Sequence, residues 1–358
     1  MKIPLHTKLR RLFRTYLYKA IGLLIKGDKV TTTLDTDEIK HIVIVRPNYR
    51  IGNLIFLTPL INEIQKIMPD AKIDLIVGMK LAGDILKELP NVDTVISIPR
   101  KLLAHPLEML RFIENARQTE YDLAINISSG SLSSQIVTML VNAKNKASFK
   151  SEQNVTKLTH AIVKEGIYKH SGHQTLELLK LFATPLPSKE TPLDIKLTQE
   201  EIAKAQNELD KMLKNASKDE NTKVIALFRN ARFDKKIADE WWNEWFYELR
   251  KLDKNIVVVD ILSPDILTKL NADMLEYSNK NLRALGAFFH VCSAYVSADT
   301  GPLHLASASD AKVLALFNKT DAAVYGTLGA KSKTIDINGL SPKEVASATE
   351  NFLLASHL

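Results

Sequence analysis

Short apolar runs alternate along this chain with amphipathic helical stretches, and this alternation is the feature that most constrains its fold. In the first half, the runs predict buried strands at residues 41–46, 72–78, 93–98 and 122–128. The stretches between them predict helices at residues 52–68, 104–119 and 131–142. Strands that alternate with helices in this way predict a parallel sheet covered by helices on both faces.

The alternation restarts after a proline-rich stretch. A helix predicted at 173–183 leads into Pro185, Pro187 and Pro192, which indicate a linker. Beyond it, the pattern predicts strands at 223–228, 255–262, 294–298 and 312–317, a helix near 238–252 and a final helix from 341 to about 355. The prediction is an α/β protein with two Rossmann-like domains facing across a cleft, where ligands bind at the carboxyl ends of the strands.

The predicted domain limits follow from these patterns. They place an N-terminal helix at 1–27, a first domain at 28–187, a second domain at 188–340 and a C-terminal helix at 341–358.

The positive charge of the chain is concentrated at its beginning. Of 48 lysines and arginines, seven lie in residues 1–27, which contain no acid; the other 41 are balanced by all 41 acids, so the net charge of +7 belongs to this segment. A basic surplus confined to one segment argues against a nucleic-acid partner. Apolar residues at helical spacing in the same segment predict a helix lying on an anionic membrane surface. The alternative is a helix docked on the protein or on a second subunit.

A loop near the C-terminus has the pattern of an anion site. The apolar run "AYVSA" ends just before Asp299, and Gly301 and Pro302 open the helix that follows. A strand, a glycine loop and a helix start direct backbone N–H groups and the positive helix end toward one point, which suits a phosphate. The alternative is an ordinary helix cap.

Several common site motifs are absent from the sequence. The loop after the first strand, "RPNYRIGN", has a single glycine, and no G-x-x-x-x-G-K-[ST] occurs. Dinucleotide oxidoreductases and P-loop NTPases are therefore disfavoured. Cys292 is the only cysteine, which excludes an internal disulfide and a cysteine-based zinc site.

Three stretches in order resemble one family, the ADP-heptose:lipopolysaccharide heptosyltransferases of glycosyltransferase family 9. They are "IVIVRPNYRIGNLIFLTPLINEIQKIMPDAKIDLIV", "DKKIADEWW" and "SADTGPLHLASASDAKVLALFNKTD". The resemblance implies a GT-B fold, in which the first domain takes the acceptor, the second takes the nucleotide sugar and a final helix crosses back.

The resemblance also implies an activity. It is the metal-independent, inverting transfer of a sugar, most simply heptose from ADP-heptose, to the core of a lipid-anchored lipopolysaccharide or lipooligosaccharide. No cofactor beyond the nucleotide-sugar donor is implied. Such an enzyme would lie on the cytoplasmic face of the inner membrane as a peripheral protein.

The donor site implied by the resemblance lies in the second domain. Lys235 matches the family lysine that stabilises the leaving diphosphate, and Lys236 is the neighbouring alternative. The remaining donor-site residues are Asp299 for the sugar, Thr300 and the Gly301 backbone for phosphate, His304 near the diphosphate, and Asn230 and Arg232 as further hydrogen-bond donors.

The acceptor side departs from the family pattern. Arg50 and Gly52 match it, but Asn53 stands where the family usually has the aspartate that serves as base. An amide does not accept a proton at neutral pH. Asn53 is therefore predicted to act catalytically by orienting the acceptor hydroxyl. The alternative is a non-catalytic nucleotide-sugar-binding or assembly protein of the same fold.

Overall fold

The structure, a computed structural model, describes residues 33–78, 80–98, 106–152, 157–219 and 221–355. The basic segment at 1–27 lies outside the described residues, so its predicted helix stays a prediction. Within the described residues, no helix is long and apolar enough to span a bilayer.

The first sheet has six parallel strands in the order β3-β2-β1-β4-β5-β6. Its strands are β1 (His41–Arg46), β2 (Lys72–Val77), β3 (Val92–Ser97), β4 (Tyr121–Asn126), β5 (Ala143–Phe149) and β6 (His160–Ile162). Its helices are α1 (Ile51–Ile55), α2 (Thr58–Ile67), α3 (Lys80–Leu86), α4 (Pro106–Gln118) and α5 (Leu132–Leu140), followed by a 3₁₀ helix at Gln174–Phe182.

The second sheet repeats this plan in the order β12-β11-β10-β7-β8-β9. Its strands are β7 (Lys223–Phe228), β8 (Ile256–Ile261), β9 (Leu275–Tyr277), β10 (Ala294–Ala298), β11 (Val313–Phe317) and β12 (Ser332–Asp336). The helices are α6 (Gln199–Asn215), α7 (Asp239–Leu252), α8 (Leu282–Val291), α9 (Gly301–Ala308), α10 (Ala322–Tyr325) and α11 (Pro342–Leu354), with a 3₁₀ helix at Phe233–Lys235. The α/β prediction with two Rossmann-like halves is confirmed.

The eight predicted strands all form, with ends within two residues of the prediction. The helix predicted at 52–68 is instead two helices, because Pro59 has no N–H to continue the hydrogen-bond ladder through Phe56 and Leu57. The stretch predicted as a helix at 173–183 is a 3₁₀ helix with most of its side chains buried.

The final helix forms where it was predicted, and the expectation that it crosses back to the first domain stays a prediction. Helix α11 packs along α7 of the second domain, and Val345 and Phe352 join that domain's core beside Trp242. Trp245 Nε1 donates a hydrogen bond to Thr349 Oγ1 at 3.3 Å. The apolar face of α11 is thus buried against the tryptophan-rich face of α7.

The two domains share packing at α1. Helix α1 lies against α9, and Ile55 and the adjoining Phe56 belong to the core of the second domain. On another part of the interface, Arg283 of α8 donates to the Ile85 carbonyl of the first domain at 3.1 Å and to the Ile195 carbonyl at 2.8 Å. It also pairs with Glu201 at the start of α6. Buried contacts therefore join the two domains. The sequence limits predicted for each domain stay a prediction.

Candidate active site

The loop at the end of β10 has the local geometry that the sequence predicts. Thr300 is the N-cap of α9: its backbone is extended, and its Oγ1 accepts a hydrogen bond from Leu303 N at 3.3 Å. Pro302 lies in the first turn, where its missing N–H costs no hydrogen bond within the helix. The positive end of α9 therefore lies next to Asp299.

Asp299 is the centre of a small network. Lys235 Nζ lies 3.0 Å from Asp299 Oδ2, and Thr320 Oγ1 donates to the same oxygen at 2.8 Å. His304 Nε2 lies 3.6 Å from the other carboxylate oxygen. The structure thus brings Lys235 to the predicted donor loop, whereas Lys236 is exposed.

These contacts keep Asp299 ionised. Burial acts to raise its pKa, but the hydrogen bonds from His304, Thr320 and Lys235, together with the lysine charge, outweigh burial and lower the pKa to about 2. Asp299 is only 7% exposed. Both of its oxygens therefore face protein groups, with Lys235 held beside the start of α9.

His304 and Gly52 meet where the domains touch. A Cβ at Gly52 would lie 2.6 Å from His304 Cδ2, so only glycine allows α1 to approach α9 this closely. The ring of Phe56 makes an edge contact with His304 at a centroid distance of 4.6 Å. His304 Nδ1 is buried without a hydrogen-bond partner among the described residues.

The loop after β7 lies next to this network. Because β7 pairs with β10, Asn230 and Arg232 emerge beside Asp299, with Asn230 half-buried and Arg232 exposed. Sequence reasoning missed Arg229, which is buried and pairs with Asp260 and Asp239 at 3.0 Å each. The sequence signal that could have found Arg229 is its position directly after a buried strand. Its two ion pairs anchor the loop from which the predicted donor residues emerge.

A cavity of about 320 Å³ lies between the domains, on the side predicted to take the acceptor. Asn53 lines it, together with Arg46 and Lys164 of the first domain and Tyr325 of the second. None of the described residues that line it is acidic. Arg50, by contrast, is exposed and does not line the cavity.

Arg46 is a second residue that sequence reasoning missed. It ends β1, and its Nη1 donates to Ser128 Oγ at 2.8 Å, while its Nε is buried without a partner among the described residues. Burial lowers the pKa of its guanidinium from the ordinary value. The signal was its position as the last residue of a central buried strand, where ligand-binding side chains of such folds collect.

Residues 109–352 match the model of glycosyltransferase family 9 (heptosyltransferase). The chain belongs to this family. It is therefore a glycosyltransferase, and transfer is favoured over the non-catalytic alternative. No match is found among curated protein sequences.

Solved structures of other glycosyltransferases have the same fold. The glycosyltransferase family 9 protein from Veillonella parvula is 16% identical, with a TM-score of 0.74 over 91% of this chain and 100% of that one. E. coli heptosyltransferase WaaC with ADP is 20% identical, with a TM-score of 0.68 over 87% and 99%. E. coli ADP-heptose LPS heptosyltransferase II is 17% identical, with a TM-score of 0.67 over 88% and 99%. The fold of this family 9 enzyme is thus GT-B.

In this family 9 enzyme, the two groups of predicted site residues meet at the α1–α9 contact. Gly301 meets the first domain directly, since a Cβ there would lie 3.5 Å from Ile51 Cβ. Asn53, two residues beyond Ile51, reaches the cavity. Among the described residues, no cluster of three or more histidine, cysteine, aspartate or glutamate side chains is placed to hold a metal ion.

Proposed function

We propose that this family 9 enzyme transfers heptose from ADP-heptose, with inversion and without a metal, to the core of a lipopolysaccharide or lipooligosaccharide acceptor. The observation that carries the proposal is that Lys235 contacts Asp299 beside the start of α9, whose Gly301 lies against Ile51 of the first domain. The heptosyltransferase description of the family supports the sugar. The E. coli structures support the nucleotide and the acceptor, since one is WaaC with ADP and the other is ADP-heptose LPS heptosyltransferase II.

The donor half of the reaction requires stabilisation of a departing diphosphate. In our proposal, the backbone N–H groups of Thr300 and Gly301, the positive end of α9 and the Lys235 ammonium supply it. Fixed positive groups of this kind can perform the charge stabilisation that other transferases obtain from a metal. Asp299 then serves to hold Lys235, in place of the sugar contact predicted from the sequence, because both of its oxygens face protein groups. Asn230 and Arg232 supply further hydrogen bonds from the neighbouring loop.

The acceptor half uses the cavity. Arg46 and Lys164 give it two positive charges with no acidic group among its described lining residues, which suits an acceptor that carries a phosphate or carboxylate. Asn53 has an amide at the cavity wall and is proposed to orient the attacking hydroxyl. With an amide there, deprotonation occurs late in the reaction, after the bond to the leaving group has lengthened.

The proposal includes a location on the membrane. Residues 1–27 carry seven basic residues and no acid, which suits the anionic cytoplasmic face of the inner membrane, where a lipid-anchored acceptor is available.

The test is a transfer assay with the full chain, a deacylated core acceptor and a panel of ADP-, GDP- and UDP-sugars. The proposal predicts heptose transfer from ADP-heptose, its loss in Lys235→Ala and its retention in Lys236→Ala. Preferential use of a GDP- or UDP-sugar would refute the donor assignment. Tight ADP-heptose binding without transfer to any core acceptor would favour the non-catalytic alternative.

A further inference from the structure

One segment of the second domain, residues 320–326, contacts the donor network at one end and the first domain at the other. We call it the strap. It contains α10, whose N-cap is Asp321, with Asp321 Oδ1 accepting from Ala323 N at 2.8 Å. The strap directly follows β11 and the two residues beyond it, so its start is fixed to the second sheet.

The first end of the strap is attached to Asp299. Thr320 Oγ1 donates to Asp299 Oδ2 at 2.8 Å, the same oxygen that Lys235 contacts at 3.0 Å. When a diphosphate draws the Lys235 ammonium toward itself, Thr320 remains as a hydrogen-bond donor to that oxygen. Thr320 is therefore sensitive to the state of the donor site.

The other end of the strap is attached to the first domain. Ser171 N donates to the Val324 carbonyl at 2.9 Å, and His170 Nε2 lies 2.9 Å from the Gly326 carbonyl. His170 Nδ1 accepts from Gly172 N, so the proton is on Nε2, which donates to the strap. Burial lowers the pKa of His170 to about 4, against the hydrogen bond to Gly326, so the ring is neutral at physiological pH.

The attachment of the strap to the first domain adjoins the acceptor cavity. Tyr325 of the strap and Ser171 of the first domain line the cavity together with Asn53. Gln174 and Thr175, which follow Ser171 closely in the chain, line it as well. A shift of the strap therefore moves part of the cavity wall. An exposed ion pair between Lys169 and Asp321, at 3.0 Å, adds little to this attachment.

We propose that Thr320 and His170 are positioning residues, and that the strap they anchor couples the occupancy of the donor site to the shape of the acceptor cavity. Neither residue touches the reacting atoms in this account. Each holds one end of an element that contacts both sites. The coupling rests on the proposed function, because it takes a diphosphate as the ligand that draws Lys235 from Asp299.

The test measures hydrogen exchange at the Ser171 amide in the full-length chain, because that N–H donates to the strap. Without ligand, Thr320→Val should speed this exchange about tenfold, the factor that corresponds to one net hydrogen bond. Thr320→Ser keeps the hydroxyl and should exchange like the wild type. The Ala226 amide in β7 should be unchanged in all three proteins. Equal Ser171 exchange in the wild type and in Thr320→Val would overturn the proposal that Thr320 anchors the strap.

A second arm adds ADP. In the wild type, ADP should change Ser171 exchange by a factor of about three or more, and in Thr320→Val it should bind but leave Ser171 exchange unchanged. ADP that binds the wild type without altering Ser171 exchange would overturn the coupling. Failure of ADP to bind would instead refute the proposed donor, and the ligand-free comparison would still decide whether Thr320 holds the strap.

A kinetic arm separates positioning from simple structural damage. Thr320→Val should raise the KM for the acceptor about tenfold, because the strap loses its hydrogen bond to Asp299 and Tyr325 of the strap then shifts in the cavity wall. The KM for the donor should stay within about twofold, because Lys235 still contacts Asp299. Thr320→Ser should restore the acceptor KM. Equal increases in both KM values, or no rescue by serine, would contradict a positioning role.

Discussion

At the scale of single residues, the proposed stabilisation of the leaving diphosphate depends most on Lys235. It lies 3.0 Å from Asp299 beside the start of α9, while the adjacent Lys236 is exposed. Lys235→Ala should lower kcat for transfer about 10²-fold or more, as removal of one group that stabilises transition-state charge does. Lys236→Ala is the matched control and should keep kcat. Loss of transfer in Lys236→Ala together with full transfer in Lys235→Ala would contradict the assignment of this role to Lys235.

The low pKa of Asp299 gives a prediction about stability. The pKa falls from its ordinary value of 3.8 to about 2 on folding, so the folded state is stabilised above pH 4, and this stabilisation is lost as the pH falls through 2. Asp299→Asn should lower the free energy of unfolding at pH 7 by about 2 kcal/mol. The difference from wild type should shrink between pH 4 and pH 2 in denaturant titrations. The exposed Asp265→Asn is the control, and an equal effect there would contradict the account.

Asn53 gives the residue-scale test of the acceptor half. Asn53→Ala should impair transfer because it removes the amide that orients the hydroxyl. Asn53→Asp should preserve or raise kcat and add a pH dependence near the carboxylate pKa, since a general base contributes about 10²–10⁴-fold. A wild-type enzyme that is fully active together with an unaffected Asn53→Ala variant would assign Asn53 a purely structural role in starting α1.

At the scale of elements, the contact between α1 and α9 depends on a glycine. A Cβ at Gly52 would lie 2.6 Å from His304 Cδ2 in a buried contact. Gly52→Ala should therefore lower stability by about 1–3 kcal/mol, the usual cost of overpacking, measured as a shift of the denaturation midpoint. Gly130→Ala is a matched control, because a Cβ there meets nothing within 4 Å. Equal stability of the two variants would show that α1 can move away from α9 without cost.

The sequence predicts the central strands better than the edge strands. The four strands that it does not predict, β5, β6, β9 and β12, lie at or next to sheet edges. Strands β6 and β9 have only three residues, and β5 and β12 carry lysines and half-exposed positions, so none forms a continuous apolar run. Burial on both faces is what makes a parallel strand recognisable in sequence. The final helix was predicted, but its partner α7 was not, because pairing depends on the packing of distant tryptophans.

The residues of the candidate site likewise fall into those that the sequence predicts and those that it does not. The Asp299–His304 loop was predictable because its elements are local: a strand end, a cap, a glycine and a helix start. Arg46, Arg229 and Thr320 were missed because their roles depend on residues 10 to 82 positions away in the chain. Gly52 was placed on the acceptor side, and its contact with His304 is visible only once both domains are assembled.

At the scale of the whole molecule, the charge distribution predicts how the enzyme reaches its acceptor. Residues 1–27 hold the entire positive surplus of the chain. Each basic residue near an anionic surface contributes about 1 kcal/mol, and salt screens the attraction. Removal of these residues should release the protein from anionic vesicles in a sedimentation assay without changing its thermal unfolding. Equal binding of the full chain to neutral and anionic vesicles would argue against the electrostatic attraction.

The central claim is that the donor diphosphate binds at the start of α9, and calorimetric titration with ADP tests it most directly. A Cβ at Gly301 makes only an ordinary contact with Ile51 at 3.5 Å, so Gly301→Ala should fold normally. The account predicts that ADP binds the wild type, binds Gly301→Ala more weakly and does not bind Gly301→Val, because added carbon blocks close approach to the backbone N–H groups. Unchanged ADP affinity in a folded Gly301→Val protein would contradict the claim.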